Sequence, residues 1–511
     1  MPHMLRRQAL ARPGAVAFVA GEQSVSYAEL DRRSDRIATA LRGAGAAVQD
    51  RVAIVDQNSI RYFELFFGSA KAAMTLVGVN TRLAPPEIAW IVNDARARVL
   101  FVSRPHYAAA EKIEPELLHT THIVALDGDH PRWPSWDDWI GRHANDKLPT
   151  TDGRLDHDVI QLYTSGTTGH PKGVCHTNDT WLRYADATAA AWADYGHDTV
   201  TLVCMPVFHV AGFNQTCLTI RAGGRVILLT KAEPAEIVGA MDRHGVTDTL
   251  FVPAIIRGVL DHAQREGIRP NTLRTISYGA SAMPLDLLAA ARGFFGCGFV
   301  HLYGLTEILG AGTYLPSAEH TAELLLSCGR AYPGLSVRIV DGDGRVLPAG
   351  EVGEIVMQCG WTMREYWRQP DATADTVRNG WLHSGDAGRL DEHGYLFLHD
   401  RVKDMIKTGG ENVYPLEVEL ALLAHPSVAD VAVIGVPDVH WGEAVKAVVV
   451  LKPGSVLDAA GLLADARARL AGYKLPKSID VVEALPRNAS GKVLRRVLRE
   501  RYWSAHTRRI N

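Results

Sequence analysis

Residues Tyr163 to Gly173 read YTSGTTGHPKG: three glycines, four hydroxyl side chains besides the tyrosine's, and one lysine. Gly166 and Gly169 let successive backbone N–H groups face one concavity, Thr164, Ser165, Thr167 and Thr168 add hydroxyl donors, and Lys172 adds charge. Such residues also make ordinary connecting turns. The preceding DVIQLYT, however, alternates and carries β-branched and aromatic residues, as a strand running into the bend does. A strand followed by a donor-lined bend makes a cradle for a polyphosphate. It is not a P-loop, because Lys172 is flanked by Pro171 and Gly173 and no hydroxyl follows it to hold magnesium. Nor is there a dinucleotide fingerprint: Gly43-Ala-Gly45 lacks the third glycine and follows a helical pattern, where it reads as a helix stop.

The elements that must position this loop read as α/β. Ser26 and Glu29 form a candidate capping box, Leu30, Ile37 and Leu41 share a face, and Gly43 ends the helix. Strand-like runs follow at RVAIVDQN, 97–103, 225–230, 247–254 and 298–304, alternating with helical patterns through the first four hundred residues. From Val337 the texture changes to short strands broken by turns, which suits a small barrel or twisted sheet. Beyond Lys403 it changes again. Pro415 opens a helix with Leu416, Leu420 and Leu423 on one face, and the strands VADVAVIGVP and EAVKAVVVL, a helix near 457–471 and KSIDVVE complete an α+β unit. The expected organisation is a large N-terminal domain of helix-covered sheets over 1–402, with 337–400 a β-barrel-like subdomain, a hinge at 403 and a small C-terminal domain over 404–511.

Composition narrows the function. With 511 residues the chain is long enough for about three to four structural units. Basic residues number 54 against 57 acidic ones and are dispersed, which argues against nucleic acid as a partner. The two nearest of the six cysteines, Cys204 and Cys217, lie 13 positions apart, so no Cys-x-x-Cys metal or redox pair exists and buried free thiols are expected. No span reaches the roughly 18 apolar residues of a membrane helix, and AVAFVA near the N-terminus is too short for a signal peptide, so a cytoplasmic location is expected.

Four further segments occur in order after the phosphate-type loop: MPVFHVAG (205–212), YGLTE (303–307), HSGD (383–386) with DRVKDMIKTGGENVYPLEVE (400–419), and PRNASGKVLRR (486–496). Together the five resemble the adenylate-forming superfamily, in its acyl-CoA synthetase branch, across nearly the whole chain. The resemblance implies activation of a carboxylic acid with ATP and Mg2+, then transfer to coenzyme A. By its match to the family motifs, Thr164 to Lys172 holds the β- and γ-phosphates. Tyr303 and Gly304, with Gly279, Ala280 and Ser281, form the adenine pocket, Thr306 binds the α-phosphate and Glu307 holds magnesium. Asp386 accepts the ribose hydroxyls, and Arg401 approaches ribose and phosphate as a fixed donor fork. Lys492 bridges carboxylate and α-phosphate during adenylation. Lys403 is the hinge about which the C-terminal domain rotates, bringing Gly409, Gly410 and Glu411 into the site for thioester formation.

The resemblance places His209 between acyl pocket and adenylate. Amino-acid-activating relatives have an Asp at the matching place, so its absence disfavours amino acids. Gly304, Gly310, Ala311 and Gly312 form the candidate acyl-pocket floor, where small residues leave room for a fatty, aromatic or cyclic acid. DVHWGE (438–443) resembles the part of acyl-CoA ligases where CoA enters, and favours CoA. An acyl carrier protein as acceptor and an inactive nucleotide-binding sensor stand as alternatives.

Overall fold

The structure, a computed structural model, describes residues 1–142, 153–164, 171–281, 283–401, 404–408, 411–438, 441–467, 469–487 and 492–503, with backbone alone at 400–401 and 411–412. Among them four sheets form. The largest runs, in spatial order, Arg330–Ala331, Thr313–Leu315, Gly298–Tyr303, Thr275–Gly279, Asp248–Phe251, Val200–Val203, Arg225–Leu228, Val16–Ala20 and Gln23–Ser26. Its six inner strands are parallel. The second runs Glu365–Tyr366, Lys172–Thr177, Asp158–Thr164, Thr75–Gly78, Arg51–Val55, Ala97–Val102 and His122–Ala125, parallel from Asp158–Thr164 onward. Parallel neighbours need crossover connections, which is why strand and helix patterns alternate in the sequence.

Helices Tyr27–Gly43 and Ile60–Lys71 show how the layers are specified. Ser26 Oγ accepts from Glu29 N at 3.2 Å, and the first helix stops at Gly43 as its pattern predicts. The second buries Phe63, Phe66 and Phe67, with Phe63 stacked on Phe18 and Phe66 edge-on to Phe213, so one core joins helices from different parts of the chain. The strand expected over 247–254 is shorter, Asp248–Phe251. Pro253 instead sits in the first turn of helix Pro253–Glu266, where its missing N–H costs nothing.

Residues 335–401 form a five-stranded antiparallel sheet of Leu335–Val340, Gly353–Cys359, Trp381–Leu390, Val377–Arg378 and Leu396–Arg401. The fourth sheet, Glu411–Val413, Ile406–Thr408, Gly442–Leu451, Val428–Asp438 and Ser478–Val481, belongs to the small C-terminal domain. Val431, Val433, Val445 and Val449 face helices Pro415–Leu423 and Ala459–Arg467, while Ala432, Ile434 and Val448 face Leu498 of helix Arg495–Trp503. Burial on both faces explains why these strands read as continuous apolar runs rather than alternating ones. Among the described residues no helix is long and apolar enough to cross a membrane. All six cysteines are free thiols.

Candidate active site

Thr164, Gly279 and Tyr303 end strands that lie in parallel runs, where open α/β sheets place their ligands, while Asp386 and Arg401 come from the antiparallel sheet. Gly279 ends Thr275–Gly279 and pairs with Leu302 on the neighbouring strand, so Gly279, Ala280 and Ser281 run beside Tyr303. Glycine is required there: a Cβ on Gly279 would stand 2.3 Å from the Leu302 carbonyl oxygen. The Tyr303 hydroxyl donates to Asp386 Oδ2 at 2.8 Å, joining the two residues assigned to adenine and ribose. Burial, with the Asp386 charge beside it, holds the phenol well above its ordinary pKa, so it remains a donor.

Asp386 is aimed by a turn that the sequence did not reveal. Glu354 accepts from His383 Nδ1 at 2.8 Å and from Gly385 N at 3.1 Å, while Ser384 Oγ accepts from Asp386 N and donates to the Ile355 carbonyl. Arg401 lies directly opposite Asp386 on the adjacent antiparallel strand. The sheet therefore supplies the pairing of the candidate ribose residues.

Thr164 ends its strand and pairs with Lys172, which opens the next, so the loop between them leaves and re-enters one sheet edge. Ser165, Gly166, Thr167, Thr168 and Gly169 lie outside the described residues, as do Lys403, Gly409 and Gly410. Thr306 and Glu307 form a single 3-10 turn that the second sheet holds from below. His176 Nε2 donates to the Thr306 carbonyl at 2.8 Å, Met363 N to the Glu307 carbonyl at 2.7 Å, and the Tyr366 hydroxyl to Glu307 Oε1 at 2.6 Å. Complete burial pushes the His176 pKa down to about 4, so it is neutral and its Nε2 carries the proton. Neither His176 nor Tyr366 carried a sequence signal, because each matters only through a contact more than fifty residues away.

His209 caps helix Val210–Ala222, its Nδ1 accepting from Ala211 N at 3.3 Å, which leaves the Nε2 proton free to point elsewhere. Its ring is partly exposed yet deeply set, and desolvation lowers its pKa to about 4. A neutral donor at this position suits a carboxylate or acyl oxygen rather than an amine. The expected pocket floor is tighter than its composition suggests. A Cβ on Gly304 would meet the Gly310 carbonyl oxygen at 2.3 Å, and one on Gly312 would meet Tyr303 O at 2.9 Å and Met357 Sδ at 3.0 Å. These glycines serve close backbone approach; at Gly310 the nearest neighbour, Val210, stands off at 3.8 Å. Ala311 is fully buried and its carbonyl accepts from Trp361 Nε1.

On the C-terminal domain Lys492 is half-buried on a loop closed by an Arg487–Val493 bridge, just ahead of helix Arg495–Trp503. Strands Ile406–Thr408 and Glu411–Val413 pair up to Thr408–Glu411, and Thr408 also pairs with Gly442. Thr408, the residue before the candidate thioester loop, thus lies beside the WGE segment.

Two family patterns cover this layout: AMP-binding enzyme over residues 5–367 and AMP-binding enzyme C-terminal domain over 417–492. The chain belongs to the AMP-binding enzyme family. Among members of this AMP-binding family, it is 38% identical to the fatty acid–[acyl-carrier-protein] ligase ScoC of Streptomyces coeruleorubidus, covering 98% of this chain and 96% of that one. It is likewise 38% identical to a feruloyl-CoA synthase of an Amycolatopsis species, over 97% and 98% of the two chains. The crystal structure of the anthranilate CoA ligase AuaEII in complex with anthranoyl-AMP superposes with a TM-score of 0.92 at 26% identity, covering 99% and 97%. Large N-terminal and small C-terminal domains are the architecture of this AMP-binding family, as the motif order predicted.

Proposed function

We propose that the protein is an ATP-dependent carboxylic acid:CoA ligase. The carboxylate attacks the α-phosphorus of ATP and the bond to pyrophosphate breaks; the CoA thiolate then attacks the acyl carbon and AMP leaves. The observation that carries this reading is the pairing of Tyr303 with Asp386, the nucleoside candidates, and the contact of Tyr366 with both Glu307 and Lys172, the candidates for the metal and the phosphates. Bringing two anions together and spreading the added charge over fixed donors is the main catalytic demand.

Magnesium fits the residues present. Glu307 offers one carboxylate whose Oε1 is turned by Tyr366, and among the described residues no cluster of three potential ligands exists. One protein carboxylate completed by phosphate oxygens and water is an ordinary magnesium environment. The bound ion would supply charge neutralisation between the phosphates. Thr306, anchored by His176, presents its hydroxyl toward the α-phosphate, and Lys492 reaches the same place when the C-terminal domain swings about Lys403, with Gly409, Gly410 and Glu411 replacing it for thioester formation. Six free thiols suit a reducing, cytoplasmic compartment.

Free CoA as acceptor is supported by a surface beside the thioester loop. Trp441 is 49% exposed, Tyr473 is 40% exposed, and Lys477 Nζ stands 5.7 Å from the Trp441 ring. An accessible indole with an ammonium beside it suits an adenine ring, which CoA has and a carrier protein's phosphopantetheine arm lacks. The similarity to ScoC favours carrier-protein loading as the second reading. For the acid, neutral His209 and the named relatives favour a fatty or aromatic carboxylate. The test is acid-dependent ATP–pyrophosphate exchange across fatty, benzoic and cinnamic acids, followed by thioester formation with free CoA and with a holo-carrier protein. Exchange without thioester on CoA would overturn the CoA assignment; no exchange with any acid would leave a nucleotide-binding sensor.

A further inference from the structure

Tyr366 belongs to none of the motifs that point to the active site, yet it touches both charged groups of the phosphate side. A two-residue strand, Glu365–Tyr366, pairs with Lys172–Thr177 and sets Tyr366 opposite Val174. The side chain is 4% exposed. Its hydroxyl donates to Glu307 Oε1 at 2.6 Å, and Lys172 Nζ stands 4.6 Å from the centre of its ring. The backbone that carries it is tied down, since Tyr366 N donates to Thr373 Oγ1 at 3.0 Å and the same segment holds the Glu307 carbonyl through Met363 N.

A carboxylate at the hydroxyl and an ammonium over the ring of one buried side chain attract each other unless each is given another partner. Direct pairing of Glu307 with Lys172 would neutralise the acid needed by a metal and the base needed by phosphates. The phenol prevents this. Its polar edge binds the acid and its π face receives the ammonium, so each charge is stabilised without being cancelled. Tyr366 also leaves Oε2 of Glu307 unclaimed by its own hydrogen bond. The geometry points to Tyr366 as the positioning residue of the Mg·ATP site, orienting Glu307 toward the metal and parking Lys172 for the triphosphate until nucleotide arrives. This rests on the nucleotide-binding reading of the site given above.

Calorimetric titration of the full chain with ATP, with and without Mg2+, tests it without relying on turnover. Tyr366→Phe keeps the ring and loses the hydroxyl, so Mg·ATP affinity should fall about ten-fold while metal-free ATP affinity changes by no more than about two-fold. Tyr366→Leu removes the π face as well and should weaken both. In a double-mutant cycle, Tyr366→Phe should cause no further loss once Glu307→Gln is present, because its effect runs through that carboxylate. An unchanged magnesium preference in Tyr366→Phe, or additive losses in the cycle, overturns the inference while leaving the site intact. Failure of the unaltered chain to bind ATP at all would instead sink the reading of the site, and this inference with it.

Discussion

At the scale of single residues, function here depends on charge held ready without being spent. Lys492 is the ammonium expected to steady both carboxylate and α-phosphate, so Lys492→Ala should slow adenylation by about 10²- to 10³-fold, as loss of an oxyanion donor does. Thioester formation from a presynthesised acyl-adenylate should be largely spared, and rapid-quench assays of the two half-reactions separate these effects. His176 carries a different consequence. Its folded-state pKa is about 4 against an ordinary 6.5, so between these values the unfolded chain binds a proton that the folded chain does not. Stability attributable to His176 is therefore complete above about pH 6.5 and declines as pH falls toward 4, by roughly 3 kcal/mol in all. His176→Gln can preserve an N–H donor to Thr306 and should flatten part of that decline in unfolding curves measured from pH 7.5 to 4.5. A decline as steep as in the unaltered chain would exclude His176 as its source.

At the scale of elements, the C-terminal helix that follows Lys492 is tied to the start of its domain by a partly buried ionic knot centred on buried Glu419. Arg495 meets Glu419 with two contacts of 2.8 Å, Arg499 meets Asp404 at 2.6 Å, and Glu419 also accepts from Val433 N. Asp404 directly follows the proposed hinge, so the knot ties the start of the domain to the helix that follows Lys492. Breaking one side leaves a charge stranded, and Glu419→Ala should destabilise the C-terminal domain by about 3–5 kcal/mol. Hydrogen exchange should localise the loss to 404–503, with the N-terminal sheets protected as before. Uniform loss across the chain would refute the knot as a local device. Sequence periodicity located these elements, though not every face: the strand entering the phosphate-type loop forms as predicted, the Pro415 helix forms but buries Val418, Ala421 and Leu422 rather than a Leu416–Leu420 stripe, and Ser26 caps its helix while the Glu29 carboxylate pairs with Arg33 instead of closing the box. The knot was illegible because Glu419 and Arg495 are ordinary helix charges until the fold buries them together.

At the scale of the whole molecule, catalysis in two stages asks one chain to present two different surfaces to one adenylate. Rotation about Lys403 is the proposed means, and Lys403→Pro, which fixes that residue's φ, should leave adenylate formation largely intact while suppressing thioester formation. Equal loss of both half-reactions would refute the hinge. The sequence by itself determined the chemistry and the order of parts, because glycine-rich bends, hydroxyl donors and single charged residues at fixed intervals announce their use locally. It also determined most strands and helices, whose burial patterns are written at short range. It left the pocket floor open, since Gly304 and Gly312 looked like spare volume until the Gly310 carbonyl and Met357 were seen to occupy it. Only the tertiary structure decided how the charges are presented. Glu354 turns the HSGD segment, His176 carries the Thr306 turn, and Tyr366 touches both Glu307 and Lys172, each reaching from one sheet or segment to another. Such contacts join residues far apart in the chain, and a hydrogen bond or a ring in contact with two charged groups exists only once the sheets have met.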